Sequence, residues 1–321
     1  MEKHSSNFVR VLFVSFVDFM RRCMFRVLSM GPIPDHFAFI MDGNRRYAKK
    51  VNMEEGAGHR AGFSALLSIL KYCYELGVKY VTVYAFSIDN FKRQPDEVQD
   101  LMDLMLEKIE ELLKEESIVK QYGIRVYFIG NLKLLTQPVR VAAEKVMRVT
   151  ANNSKCALLV CIAYTSRDEI VHAVEESCIE KLGRAKSCDF NEGGTKNGVI
   201  KHPVLQSHED YCDAGQLSNA TTTGNDTTPA DEKGKMLGYG STIKLLDIEK
   251  HMYMAVAPEP NILIRSSGET RLSNFLLWQT SNCSLYSPDA LWPEIGLWHL
   301  VWAVLNFQRC HSYLEKKKKQ C

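Results

Sequence analysis

The sequence predicts an α/β fold, a mostly parallel sheet of about six strands flanked by helices. Three observations carry that reading. Short apolar runs that read as buried strands recur along the chain, beginning with Phe37–Met41. Segments with helical spacing of apolar residues separate them, and this alternation builds parallel sheets. Polar clusters follow several of the runs directly, and in such sheets ligands bind outside the carboxyl ends of the strands.

The elements follow in order. Residues 8–30 are rich in Phe, Val, Leu and Met and are interrupted by Arg10, Asp18, Arg21, Arg22 and Arg26. The uncharged run Val11–Val17 is far shorter than the roughly 20 residues a membrane-spanning helix needs. On a helical wheel the five charges fall within an arc of about 160°. That pattern suits a helix lying in a membrane interface, and a helix packed on the domain is the other reading. Gly31-Pro32-Ile33-Pro34 ends it. The strand Phe37–Met41 and a turn follow, then a helix over about Ala57–Leu76, with Phe63, Leu66, Leu67, Leu70 and Tyr74 at helical spacing and Gly77 as its stop. Further strands are expected at Tyr80–Phe86, Ile124–Ile129, Ala157–Ala163, Asn261–Arg265 and Ser284–Ser287. Helices are expected over Pro95–Lys120, Pro138–Ala151, from Arg167 to about Leu182, as a short segment after Ser241, and from about Glu294 to Leu314.

Residues 183–240 break the pattern, with Gly, Ser, Thr, Asn and Asp and few large apolar groups. Such a composition buries too little apolar surface to offset its ordering entropy, so a mobile insertion is expected there. The domain reading is therefore an amphipathic segment over 1–30, one catalytic domain over 31–311 carrying that insertion, and a basic tail over 312–321. The net charge of +2 argues against a general nucleic-acid binder. Ten cysteines without any Cys-x-x-Cys spacing offer no zinc or redox motif and fit a reducing compartment.

Three polar clusters carry the chemistry. Asp42-Gly43-Asn44-Arg45-Arg46 follows the first strand and opens a helix. A helix start offers unpaired N–H groups and a positive dipole end, and guanidinium forks match phosphate oxygens. Asp42 would repel a phosphate unless a cation stood between them, and Mg²⁺ is commonly held by one or two carboxylates plus substrate phosphates. The second cluster is Ser87–Arg93. The third is Arg265–Ser273, where two arginines and a hydroxyl converge on room for a second anion. The stretch is neither a Walker loop nor a dinucleotide fingerprint.

These stretches resemble the cis-prenyltransferases, the family of undecaprenyl and dehydrodolichyl diphosphate synthases. The matching residues are Met41-Asp42-Gly43-Asn44-Arg45-Arg46-Tyr47-Ala48, Tyr84–Arg93, Arg265–Gln279 and Leu291-Trp292-Pro293, in the family's order. The chain resembles most its eukaryotic, plant-type catalytic subunits. The resemblance implies a parallel sheet with an apolar tunnel for the growing chain, and transfer of isopentenyl diphosphate onto an allylic diphosphate such as farnesyl diphosphate. It implies a long cis-polyprenyl diphosphate of the dolichol or rubber type.

Residue by residue, the resemblance places Mg²⁺ at Asp42. It places the allylic diphosphate at Gly43, Asn44, Arg45, Arg46, His59 and Arg93, and isopentenyl diphosphate at Arg265, Arg271 and Ser273; Tyr47 and Ser87 are further substrate-binding candidates, and capping of the following turn is the other reading of Ser87. Asn90 matches the position of the proton-loss step; an amide is a poor base, so positioning is its expected role. Glu55 stands where bacterial members carry an Arg, and Ser284 where they carry a second metal-binding Glu. The tail Leu314–Cys321 has no Arg-x-Gly, the motif that single-subunit members use to reach the neighbouring site. A Nogo-B-receptor-like partner subunit supplying Arg-x-Gly is thus expected, with work at the endoplasmic reticulum membrane on its cytosolic face. A non-catalytic partner subunit is the alternative, disfavoured because such chains lose Asp-Gly-Asn-Arg.

Overall fold

The computed structural model describes residues 2–114, 116–189 and 242–318. Six strands form one sheet: β1 (His36–Ile40), β2 (Tyr80–Ser87), β3 (Ile124–Ile129), β4 (Cys156–Tyr164), β5 (Ile262–Arg265) and β6 (Ser284–Tyr286). Their order is β3-β4-β2-β1-β5-β6, and every pairing is parallel. The helices are α1 (Glu2–Leu28), α2 (Asn44–Lys50), α3 (Glu55–Leu76), α4 (Pro95–Glu111), α5 (Ile118–Tyr122), α6 (Gln137–Val149), α7 (Ser166–Asp189), α8 (Leu245–His251) and α9 (Leu297–Lys318).

The chain leaves β1 towards β2 and returns on its other side with β5. In register, Ile40 lies beside Tyr84 on one flank and Arg265 on the other. The carboxyl end of β1 is therefore the point where the winding reverses, and such a point opens a crevice.

β1 and β4 are buried at every position. Successive side chains of a strand point to opposite faces. Phe37 and Phe39 accordingly join the core with α3 and α9, while Ala38 and Ile40 join Tyr164, Phe275 and Leu276 on the other face. Trp292, 1% exposed, braces the first face. Its indole N–H donates to the Gly62 carbonyl at 2.8 Å, its backbone N–H donates to the Asp42 carbonyl at 2.9 Å, and Phe39 meets it edge-on at 5.7 Å. Trp292→Ala is expected to destabilise the protein by about 3–5 kcal/mol, measured as a lowered denaturant midpoint at unchanged slope. A loss below about 1 kcal/mol, within the range of a surface substitution, would remove it from the core.

Two expectations need correction, and one of two open readings is met in part. The helix read over Pro95–Lys120 is two: α4 ends at Glu111 and α5 begins at Ile118. Ser117 makes the break, donating its hydroxyl to the Leu112 carbonyl at 2.8 Å and accepting from the Lys120 N–H at 3.4 Å. Serine competes in this way with continued helix. Lys114 and Glu116 thus lie in a turn. Secondly, residues 183–189, read as the start of the insertion, still belong to α7; residues 190–241, and with them most of that expectation, lie outside the described residues. Of the two readings of the N-terminal helix, packing on the domain describes the C-terminal part of α1. Phe25 and Leu28 are buried, and Arg21 donates to Glu75 of α3 at 2.7 Å. Phe16, Phe19 and Met20 stay exposed.

Candidate active site

The site is built at the carboxyl ends of β1, β2, β4 and β5. β1 hands over to α2 through Asp42 and Gly43. Gly43 adopts φ +105° as the N-cap of α2. A β-carbon there would be strained and would stand 2.8 Å from Leu291 Cδ2. α3 reaches close to α2 because Gly62 has no side chain: a β-carbon would lie 2.3 Å from Asn44 Oδ1. That amide oxygen is itself buried without a hydrogen-bond partner.

Asp42 is the hub. Its Oδ1 accepts from Arg46 Nη2 at 3.1 Å and its Oδ2 from Arg265 Nη2 at 2.9 Å. Its backbone N–H donates to Ser266 Oγ at 2.9 Å. Burial alone would raise its pKa, but the hydrogen bond and charge of Arg265, then those of Arg46, outweigh burial and hold the carboxyl below its usual range. Asp42 is therefore ionised at neutral pH.

Arg265 is 5% exposed. Its Nη1 donates to the Arg271 carbonyl at 2.5 Å and to Ser273 Oγ at 2.6 Å, and its buried Nε has no partner. The loop after β5 is held in unusual backbone geometry. Ser267, Ser273, Asn274 and Leu276 all have φ between +47° and +74°. Non-glycine residues in that region cost energy and collect at functional sites. α7 restrains this loop: the Ser166 N–H donates to the Asn274 carbonyl at 2.8 Å, and the Leu277 N–H donates to Ser166 Oγ at 2.8 Å. Buried Glu169 accepts from Gln279 at 3.1 Å and from Tyr164 at 2.5 Å.

After β2, the Ser87 N–H donates to Asn90 Oδ1 at 2.8 Å and Ser87 Oγ accepts from the Asp89 N–H at 3.2 Å. Ser87 thus caps the turn Ile88–Lys92, and Asn90 is left with its amide N–H groups to present. Arg93 and Arg45 both reach Glu97 Oε1, at 2.5 and 3.2 Å.

A cavity of about 930 Å³ opens from this ring of polar groups into the interior. Asp42, Asn44, His59, Ser87, Asn90, Arg93, Arg265 and Ser273 line it. Arg46 lies at the rim, tied to Asp42 and to Ser267 Oγ at 2.7 Å. Four predicted residues are placed otherwise. Gly43 shapes the turn. Arg45 is exposed beside Glu97. Tyr47 is half-buried outside the cavity lining. Arg271 turns its guanidinium outward onto Glu269 and gives the site only its carbonyl. Arg167, Asn274 and Asp89 line the cavity although sequence reasoning did not assign them. Their signal was position: Arg167 follows a strand's carboxyl end and Asn274 adjoins Ser273.

Among the described residues no group of three or more His, Cys, Asp and Glu could cage a metal ion. Ser284 starts β6, level with Ile262 and Phe37 towards the amino end of the sheet. Asp42 fits a shared Mg²⁺ site, in which one ionised carboxylate works with oxygens of a bound diphosphate.

The chain matches, over residues 40–314, the family model described as "Putative undecaprenyl diphosphate synthase". It is 58% identical over 318 residues to dehydrodolichyl diphosphate synthase 6 of Arabidopsis thaliana, covering 99% of this chain and 97% of that one. It is 38% identical to the human dehydrodolichyl diphosphate synthase complex subunit DHDDS, covering 91% of this chain and 72% of that one. The crystal structure of lavandulyl diphosphate synthase from Lavandula x intermedia, in complex with dimethylallyl diphosphate, superposes with a TM-score of 0.64 at 23% identity. It covers 86% of this chain and 95% of that one, and so supports the fold. This chain belongs to the cis-prenyltransferase family, the family of undecaprenyl and dehydrodolichyl diphosphate synthases.

Proposed function

We propose that the chain condenses isopentenyl diphosphate onto an allylic diphosphate, such as farnesyl diphosphate, and repeats the step to make a long cis-polyprenyl diphosphate of the dehydrodolichyl type. One observation carries this: the ring of Asp42, Arg93 and Arg265 opens directly into a cavity walled by Phe63, Leu66, Leu70, Leu101, Met105 and Phe128. A ligand with an anionic head and a hydrocarbon tail matches that polarity from end to end.

In this reading the allylic diphosphate lies against Asn44, Arg46, His59 and Arg93, and isopentenyl diphosphate against Arg265 and Ser273. A diphosphate arriving at Arg93 and Arg45 competes with Glu97 for both guanidiniums. Asp42 would hold Mg²⁺ together with the diphosphate oxygens, and the ion would stabilise charge on the departing diphosphate. The double bond of isopentenyl diphosphate forms a carbon–carbon bond to the allylic carbon as the carbon–oxygen bond to diphosphate breaks. A proton then leaves to a diphosphate oxygen. Asn90, its carbonyl oxygen already engaged, donates N–H groups that position the substrate.

Incorporation of radiolabelled isopentenyl diphosphate into butanol-extractable product, dependent on farnesyl diphosphate and Mg²⁺, tests the reading. No incorporation under any pairing of chain and partner would refute it.

The human relative is named a complex subunit, and a Nogo-B-receptor-like partner contributing Arg-x-Gly is proposed for this chain too. Co-purification with that partner should raise kcat at equal subunit concentration, and equal rates would count against it. Membrane work at the cytosolic face of the endoplasmic reticulum is proposed from the product's hydrophobicity and from exposed Phe16, Phe19 and Met20 beside Arg22 and Arg26. No described helix is long and apolar enough to cross a membrane. Cell fractionation finding the chain wholly free of membranes, with its partner co-expressed, would oppose this.

A further inference from the structure

Three arginines line the cavity: Arg93, Arg167 and Arg265. Two are committed within the protein. Arg93 gives its guanidinium to Glu97 at 2.5 Å, and Arg265 gives its own to Asp42 at 2.9 Å. Arg46, at the rim, is likewise paired with Asp42. Among the described residues the guanidinium of Arg167 has no such partner. Nearby carboxylates are engaged elsewhere. Asp89, which shares the cavity wall, pairs with Lys92 at 2.7 Å, and Asp168, next in the chain, accepts from Tyr253 at 3.2 Å. A guanidinium beside a cavity that owes its charge to no protein group suits an anionic ligand, because nothing has to release it first.

Its place in the fold says which anion. Arg167 lies in the first turn of α7, directly after β4. β4 and β5 flank the pair β2–β1, and the loop from Arg265 to Asn274 runs from the end of β5 to α7. The Arg167 N–H donates to Asn274 Oδ1 at 3.2 Å, and Ser273, one residue earlier, accepts from Arg265 at 2.6 Å. On the other side the turn carrying Asn90 packs on β4. Arg167 thus stands between Asn90 and Ser273. The residues proposed for the allylic head, Asn44, Arg46 and His59, belong instead to α2 and α3. The amides of the first turn of α7 are spent: those of Ser166 and Arg167 on Asn274, that of Asp168 on Thr165. An anion here is met by the side chain.

We infer that Arg167 is a further substrate-binding residue: its guanidinium closes the isopentenyl diphosphate subsite from the α7 side, on the diphosphate that Arg265 and Ser273 hold from the β5 side. The inference rests on the proposed prenyl transfer. Arg167 is exposed, so water screens its charge in the free protein, and a diphosphate seated over it meets a cation that costs no protein ion pair to recruit. The side chain is also separable from the loop clamp. That clamp uses the backbone N–H of Arg167, which every residue except proline supplies. Substitution therefore removes the guanidinium and leaves the loop tied.

The test uses the full-length chain, with its partner where turnover requires one. Initial rates are titrated separately in isopentenyl diphosphate and in farnesyl diphosphate at saturating Mg²⁺. Arg167→Ala and Arg167→Gln should each raise KM for isopentenyl diphosphate about 10-fold, the low end for a charge-assisted hydrogen bond because the residue is exposed. The kcat and the KM for farnesyl diphosphate should stay within about threefold of wild type, the pattern of lost ground-state binding. Arg167→Lys, which keeps the charge, should fall between wild type and Ala. Melting temperature should not move, as for other exposed positions, and Gln carries the test if Ala lowers it. A KM for isopentenyl diphosphate within about twofold of wild type in both neutral variants would overturn the inference. So would an equal or larger rise in KM for farnesyl diphosphate, or a loss confined to kcat. A wild-type chain that incorporates no isopentenyl diphosphate fails the proposed function instead.

Discussion

Asp42→Asn is expected to lower kcat by about 10²- to 10³-fold, the usual effect of removing one preorganised electrostatic group from an active site. Asparagine retains a carbonyl oxygen to accept from Arg265 or Arg46, so the surroundings keep much of their order while the negative charge is lost. Asp42→Ala is the harsher change. It strands Arg265, 5% exposed, without its carboxylate, and breaking such a pair costs stability as well as turnover. Asp42 itself is part-exposed, which moderates that cost. Comparing the two variants separates charge from structure: kcat should fall in both, and the melting temperature mainly in Ala. A kcat for Asp42→Asn within threefold of wild type at saturating Mg²⁺ would remove Asp42 from the chemistry. The pH dependence has a definite sign. Because the folded-state pKa is depressed, the ion pair's contribution to stability is complete above the unfolded carboxylate pKa and disappears as pH falls through the folded value.

Much of this site was legible because apolar strands announce their own ends. Phe37–Met41 stops at Asp42 and Ile262–Ile264 stops at Arg265, so placing the strands placed the polar groups at one edge of one sheet. Which side chains turn inward was not legible. Arg265 and Arg271 read alike as cations after a strand, yet one is buried against Asp42 and the other pairs with Glu269 in solvent. The loop that carries both holds left-handed backbone at Ser267, Ser273, Asn274 and Leu276, a conformation that serine and leucine do not advertise. The break at Ser117 escaped for a related reason. Apolar spacing continues through Leu112, Leu113, Ile118 and Val119, and the competing signal was a single capping hydroxyl. Arg167 and Glu169 were passed over because α7 read as an ordinary flanking helix. Its first turn instead clamps the loop that carries Ser273.

Arg265→Ala should raise KM for isopentenyl diphosphate roughly 10- to 100-fold, in keeping with about 1.5–3 kcal/mol for a lost charge-assisted hydrogen bond, and should also destabilise the fold. Both effects follow from one guanidinium serving three groups. Nη2 neutralises Asp42, and Nη1 holds Ser273 Oγ and the Arg271 carbonyl in the strained loop. The remaining buried N–H, Nε, lacks a protein partner, and such a donor costs free energy until something accepts from it. A diphosphate oxygen is a suitable acceptor, so the ligand-free protein carries an unmet hydrogen bond that substrate would satisfy. Arg265→Lys should fail to rescue, because an ammonium is a point charge and cannot serve Asp42, Ser273 and the ligand at once from a planar fork. Arg271→Ala supplies the contrast. Its side chain is exposed and engaged with Glu269, so its KM effect should be several-fold smaller. Separate titrations of the two substrates decide the matter. A raised KM for the allylic diphosphate with an unchanged one for isopentenyl diphosphate would move Arg265 to the other subsite, and equal effects of the Arg265 and Arg271 substitutions would mean that burial at this corner of the sheet does not set which arginine binds.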